Sequence, residues 1–213
     1  MIVDERMITF INSLDTGNTP FLEKLEEEAK KAYVPIIRRE MQSFLKVMLQ
    51  IKQPARILEV GTAVGFSAIL MAEYGPGDSM ITTIENYEKR IPIAKANFQA
   101  AGYENRITLL EGDAAEVLKR LEEPFDFIFM DAAKGQYIHF LPEVLRLMKP
   151  GAVLISDNVL QDGDIIESHF IVERRNRTIY KRMRAYLYTL KHHEELLTSI
   201  VPLGDGITIS IKK

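Results

Sequence analysis

The chain has 213 residues, 46% hydrophobic and 27% charged, with 27 Lys and Arg against 30 Asp and Glu for a formal net charge of −3. Such a chain can bury roughly 70% of its unfolded surface, which excludes the collagenous, low-complexity and disordered classes. The lack of cysteine excludes disulfides, thiolate nucleophiles and Cys-held metal centres, while the acidic opening MIVDERMITF and the absence of an apolar run near ~20 residues predict a cytoplasmic protein that does not enter a membrane.

In chain order, residues 4–14, 20–32 and 36–51 carry apolar residues at helical spacing, punctuated by Pro20 and Pro35, and predict three helices. They form an N-terminal helical extension, residues 1–53, on a core of residues 54–213, read together as a single domain. From Ala55 short apolar runs alternate with amphipathic segments. RILEV precedes a helix at 65–74, MITTI one at 87–101, RITLL one near 114–121, FDFIFM one near 137–148, and AVLIS closes the series. Strands joined by helical crossovers predict a parallel sheet covered on both faces. After a long charged segment, 160–192, LLTSIVPL and GITISIKK flank Gly204-Asp205-Gly206 and predict an antiparallel hairpin. The expected fold class is α/β: a Rossmann-like, doubly wound, mostly parallel seven-stranded sheet with a C-terminal antiparallel hairpin.

In such sheets ligands bind beyond the carboxyl ends of the strands. The predicted strands end in Glu59-Val60-Gly61, Glu85, Gly112-Asp113, Asp131 and Asp157-Asn158. One acid at a strand end is usually a helix cap; five in register are hard to explain as capping alone. The turn Gly61-Thr62-Ala63-Val64-Gly65 lacks both the G-x-G-x-x-G dinucleotide spacing and the Lys-Ser/Thr of a P-loop, so phosphate cradling is disfavoured. Glu85, 20 residues beyond Gly65, is placed to accept hydrogen bonds from ribose hydroxyls. Together these point to an adenosine-type ligand without a pyrophosphate.

LEVGTAVGFSA, the IE of the second strand, EGDA, and FIFMDAAKGQY with SDNVL resemble a class I S-adenosylmethionine-dependent methyltransferase. More narrowly they are similar to the metal-dependent catechol and caffeoyl-CoA O-methyltransferase family, from about Val34 to the C-terminus. YVPI, DNVL-x-x-G, the arginine-rich helix and PLGDG-x-x-IS-x-KK most resemble bacterial tRNA 5-hydroxyuridine methyltransferases within it. The resemblance implies that Glu59, Gly61 and Ser67 surround the methionine portion of S-adenosylmethionine. It further implies that Glu85 holds the ribose, that Gly112, Asp113 and Ala114 line the adenine, and that Val34 covers the cofactor. Asp131, Asp157 and Asn158 are the implied metal ligands, Asp131 also serving cofactor and catalysis. The chain has no tryptophan, so the aromatic gate of catechol enzymes cannot be copied intact.

Two carboxylates and a carboxamide suit Mg²⁺ or another hard divalent cation such as Mn²⁺. Such an ion would bind a hydroxyl and fix it in line with a sulfonium methyl, with Lys134, three residues after Asp131, close enough to take the proton. His139, His169, His192 and His193 have no spacing suited to a shared metal and are assigned surface or structural roles. Tyr137 and Phe140 are assigned mainly to core packing. Six basic residues lie between Arg174 and Arg184. They form a solvated helix face or a phosphate contact, with Arg174, Arg175 and Arg177 as candidate substrate residues. The expected activity is methylation of 5-hydroxyuridine in the tRNA anticodon to 5-methoxyuridine, whose 5-hydroxyl and 4-carbonyl oxygens resemble a catechol pair. The alternatives are a small-molecule enzyme acting on catechols or hydroxycinnamoyl esters, and a non-catalytic nucleotide-binding protein. A homodimer is the family-level expectation for the assembly.

Overall fold

Ile57 and Leu58 are adjacent and both fully buried, yet they belong to separate cores, as do Phe127 and Ile128. Successive side chains of a strand point to opposite faces, so runs in which consecutive positions are buried, as over most of RILEV and FDFIFM, demand a layer on each side of their sheet. The computed structural model describes residues 3–213 and has that arrangement; Met1 and Ile2, the start of the expected domain, lie outside the described residues.

The strands are β1 (Arg56–Val60), β2 (Met80–Glu85), β3 (Ile107–Glu111), β4 (Phe125–Met130), β5 (Met148–Ser156), β6 (Leu196–Val201) and β7 (Ile207–Lys212), in the order β3-β2-β1-β4-β5-β7-β6. The first five run parallel; β7 pairs antiparallel with β5 and β6. The order reverses between β1 and β4, which opens a crevice at their carboxyl ends. β5 begins four residues before AVLIS, with a register irregularity between Phe125 and Phe127.

One face is covered by α2 (Pro20–Lys31), α3 (Arg39–Lys52), α4 (Phe66–Tyr74) and α5 (Ile91–Ala100), through Leu22, Leu45, Leu49, Ile69 and Phe98. The other is covered by α6 (Ala114–Arg120), α7 (Tyr137–Leu147) and α8 (Arg177–His192), through Leu118, Leu141, Val144, Met183, Tyr186 and Leu190. The N-terminal helices therefore share a core with the sheet. Thr19 caps α2 by accepting from the Leu22 N–H, and Pro20 fits the first turn, where a missing N–H costs nothing. The leading helix, α1 (Glu5–Ser13), buries none of its residues. α3 starts at Arg39, later than its apolar pattern implies, and α5 starts at Ile91, where Pro92 lies in the first turn. Within the charged 160–192 segment, α8 buries Tyr180, Met183, Tyr186 and Leu190, a helical stripe set among basic residues. Among the described residues no helix is long and apolar enough to cross a membrane.

Phe127 lies on a central strand and is 0% exposed, so it has no route to solvent on truncation. Phe127→Ala is expected to cost about 3–5 kcal/mol in urea unfolding; a loss below about 1 kcal/mol would mean this face is not close-packed.

Candidate active site

Glycine is obligatory where β1 turns into α4. Gly61 has φ +106°, and a Cβ there would stand 2.1 Å from the Asp131 carbonyl oxygen. The ends of β1 and β4 are thus pressed together backbone to backbone. Gly65 (φ +88°) abuts the Phe98 ring in the same way. These contacts set the floor of a cavity of about 540 Å³ beyond the carboxyl ends of β1 to β5.

Along its wall, Glu85 is held by three backbone donors. One carboxylate oxygen accepts from Ala63 N–H (2.8 Å), the other from Asn86 and Tyr87 N–H (both 2.9 Å). It is 9% exposed and lines the cavity, and a carboxylate with three donors keeps capacity to accept a further hydroxyl. Asp113 caps α6 through Ala115 N–H (2.8 Å) and also lines the cavity beside Gly112 and Ala114; capping and site-lining coexist in that residue.

Glu59 lies below the cavity and does not line it. It is wholly buried, and its carboxylate accepts from Ser67 Oγ and from Thr83 Oγ1. Ser67 does face the cavity, so Glu59 acts on the site through Ser67. Burial, with the charges of Asp131 and Glu85 adding to it, pushes the Glu59 carboxyl up to about 7 against the two hydroxyl bonds. Val34 lines a neighbouring hollow with Glu26 and Lys30. The main wall is formed instead by Pro35 to Arg38 and Met41.

Asp131 and Asp157 close the opposite end. Burial pushes Asp131 up to about 6, with Lys134 opposing. Burial, then the Asp131 charge, pushes Asp157 up to about 7. Asn158 adopts φ +57°, a left-handed conformation that Asn tolerates better than most residues. Its N–H donates to Asp157 Oδ1 at 2.7 Å. Tyr137, fully buried, bridges the carbonyls of Met130 (3.2 Å) and Asp157 (3.1 Å) through its hydroxyl, bracing the strand ends that carry both acids. Phe140 packs in the core and also lines the cavity. Two crowded buried carboxylates and a carboxamide form an all-oxygen set that could hold a hard divalent cation. Among the described residues no group of three or more His, Cys, Asp or Glu is arranged for a metal. Lys134 opens a short 3₁₀ turn after β4, with Nζ 3.2 Å from Asp205 Oδ2.

Arg174, Arg175 and Arg177 do not line the cavity. Arg175 pairs with Glu173 (2.7 Å), and Arg177 donates to the carbonyls of Val172 and Phe170. Arg182 and Arg184 hold the Gly135 and Ile165 carbonyls. Much of the basic segment thus ties down irregular backbone, a task suited to the forked guanidinium donors. The four histidines lie off the cavity as well: His139 is exposed, His169 sits beside the Phe170 and Tyr180 rings, His192 stacks on Tyr188, and His193 accepts from Glu195 N–H. Missed by the sequence reading were Ile36, Arg38, Met41, Arg90, Gln136 and Asp205, all of which line the cavity. Three of them lie in motifs already singled out, Ile36 in YVPI, Gln136 in DAAKGQY and Asp205 in PLGDG, but none was assigned to the site.

Residues 12–213 match the O-methyltransferase family. The chain belongs to the O-methyltransferase family of S-adenosylmethionine-dependent enzymes. It is 31% identical over 170 residues to a catechol O-methyltransferase from Niastella koreensis, covering 78% of this chain and 71% of that one. It is 32% identical over 160 residues to one from Mycobacterium tuberculosis, covering 74% and 73%. The crystal structure of a putative caffeoyl-CoA O-methyltransferase from Staphylococcus aureus superposes with a TM-score of 0.90 at 31% identity, over 99% of this chain and 100% of that one. An O-methyltransferase from Bacillus cereus in complex with SAH gives 0.84 at 25% identity, covering 96% of both.

For this O-methyltransferase the burial of Glu59 has a measurable consequence. Its pKa is raised from 4.5 to about 7 in the folded protein. The folded carboxyl therefore retains its proton after the unfolded one has lost it, and stability falls as pH rises through that interval. Glu59→Gln is expected to remove a loss of up to about 3 kcal/mol in denaturation series spanning pH 4.5 to 8. A wild-type and variant difference that does not change with pH would contradict the assignment.

Proposed function

We propose that this O-methyltransferase moves the methyl group of S-adenosylmethionine to one of two adjacent oxygens on a planar ring, with a divalent cation such as Mg²⁺ held by Asp131, Asp157 and Asn158. The observation that carries the reading is the meeting, in one cavity, of the backbone-braced Glu85, suited to a ribose, with the all-oxygen set and Lys134. When bound, the cation supplies Lewis acidity to the acceptor hydroxyl and lowers its pKa. Glu85 accepts from the ribose hydroxyls, and the turn at Gly61 lets the nucleoside approach the backbone. Ile36, Met41 and Phe140 supply apolar surface that excludes water. Lys134 Nζ takes the hydroxyl proton as the oxygen–methyl bond forms and the sulfur–methyl bond breaks, leaving S-adenosylhomocysteine.

For the acceptor, we favour a catechol-type small molecule or a hydroxycinnamoyl ester. The names of the relatives and the absence of the arginines of 174–177 from the cavity support this. A second reading, methylation of 5-hydroxyuridine in tRNA, rests on the exposure of Arg174, Arg175 and Lys181 beside the loop that follows Asn158. For the assembly we propose a homodimer through α1, whose Met7, Phe10 and Ile11 are 54%, 59% and 48% exposed, together with Leu14, 67% exposed, at its C-cap.

Methyl transfer from labelled S-adenosylmethionine to catechol should fall on the order of a hundredfold in EDTA and return with Mg²⁺ or Mn²⁺. Full activity in metal-free protein would overturn the oxygen-ligand reading. An anticodon stem-loop bearing 5-hydroxyuridine, assayed in parallel at the same ionic strength, discriminates the acceptors: a much higher kcat/KM on the RNA than on any catechol or hydroxycinnamoyl ester would reject the small-molecule reading.

A further inference from the structure

The loop between β6 and β7 reaches back to the carboxyl edge of the sheet and docks on the loop that follows β5. Val159 N–H donates to the Gly206 carbonyl and Leu160 N–H to that of Asp205, both at 2.9 Å. Gly206 has φ +79°, and a Cβ there would stand 2.2 Å from Leu160 Cγ, so the two loops are pressed together with no room for a side chain.

Beside this contact the Asp205 carboxylate lies 2% exposed on the cavity wall. One of its oxygens accepts from the Asp162 backbone N–H; the other lies 3.2 Å from Lys134 Nζ. A carboxylate removed from water is costly unless it is paired and hydrogen-bonded. Here the two partners come from two different loops, and one is the residue assigned to take the proton. The carboxylate has no part in the chemistry described above.

We propose that Asp205 is the positioning residue for Lys134, pinning Nζ where it meets the acceptor hydroxyl. This rests on the reading in which Lys134 accepts the hydroxyl proton. The Lys134 side chain is 36% exposed and long. Without an anchor its amine samples many rotamers, and the effective concentration of the base at the reacting atom drops. Through Asp162 N–H the same carboxylate fixes the segment that begins at Asp157 and Asn158. The β6–β7 loop thereby sets base and oxygen-donor set relative to each other.

Asp205→Asn retains the size and an acceptor for Asp162 N–H while removing the charge that faces Lys134. In the full chain with Mg²⁺, kcat on catechol is expected to fall about tenfold or more, with S-adenosylmethionine affinity by calorimetry within about twofold of wild type. On 4-nitrocatechol, whose hydroxyl ionises near neutral pH without help, the loss should nearly vanish. In a Lys134→Ala background, Asp205→Asn should add no further loss on catechol. Independently of any acceptor, acetic anhydride labelling read by mass spectrometry should modify Lys134 several times faster in Asp205→Asn than in wild type. Equal losses on the two acceptors, additive losses in the double variant, or unchanged labelling would each overturn the proposal. If Lys134→Ala keeps wild-type kcat, the proton-acceptor reading falls with it; if Lys134→Ala is inactive and Asp205→Asn resembles wild type, this inference fails alone. Should Asp205→Asn not fold, Asp205→Glu keeps the charge one methylene further out, and a kcat between wild type and Lys134→Ala is expected; wild-type kcat and labelling in that variant would equally reject a positional requirement.

Discussion

Buried negative charge at one edge of the sheet is the constraint on which the rest of the structure turns. Glu59, Asp131 and Asp157 all have carboxyls pushed above the usual range, with burial as the first cause in each. Removing a carboxylate from water is costly, and Asp131 raises both of the others by its own charge. Local partners offset part of that cost: Ser67 and Thr83 donate to Glu59, and Asn158 N–H to Asp157. Under the proposed function, a divalent cation and a sulfonium-bearing cosubstrate offset the rest. The strained edge is then stable in the liganded protein and poised to bind in the free one.

The fold delivers these acids by topology. Parallel strands put all their carboxyl ends on one side, and the reversal of order between β1 and β4 leaves a gap there that helices do not fill. Gly61 is what lets β1 and β4 close on each other beneath that gap, since a Cβ would meet the Asp131 backbone. The layers on either face resist the electrostatic cost: α2, α3, α4 and α5 press on one side and α6, α7 and α8 on the other. Tyr137 links the second layer to the site, because its ring is core and its hydroxyl holds the carbonyls of Met130 and Asp157.

What was legible in the sequence is what is local. RILEV, MITTI and FDFIFM are β1, most of β2 and β4, because short runs rich in apolar and β-branched residues between helical segments fit a parallel sheet covered on both faces. The row of acids at strand ends followed from the same reading, and the structure brings Glu85, Asp113, Asp131 and Asp157 to one cavity. Glu59 was expected there too, but its position inside β1 turns it below the floor, a matter of strand phase that a motif does not reveal. Val34 lines the neighbouring hollow, and the residues that follow it, Pro35 to Arg38, line both hollow and cavity before α3 begins. The arginine-rich helix was legible as a helix, but the buried stripe of α8 was hidden because it is interleaved with arginines and lysines. The pairing of Asp205, itself visible in PLGDG, was hidden because its partners are remote, Lys134 being 71 residues away in sequence.

The central claim, that burial and mutual repulsion at this edge raise the affinity of Asp131 and Asp157 for protons that a bound cation then displaces, is tested most directly by calorimetric titration of Mg²⁺ into the purified protein near pH 6.5, in two buffers of different ionisation heat. With burial raising both carboxyls and the Asp131 charge raising Asp157 further, binding is expected to release protons from the pair, read from the difference between the buffers. The release should disappear near pH 9, where both carboxyls are already ionised. Binding without proton release at pH 6.5, or no binding at all, would contradict the account.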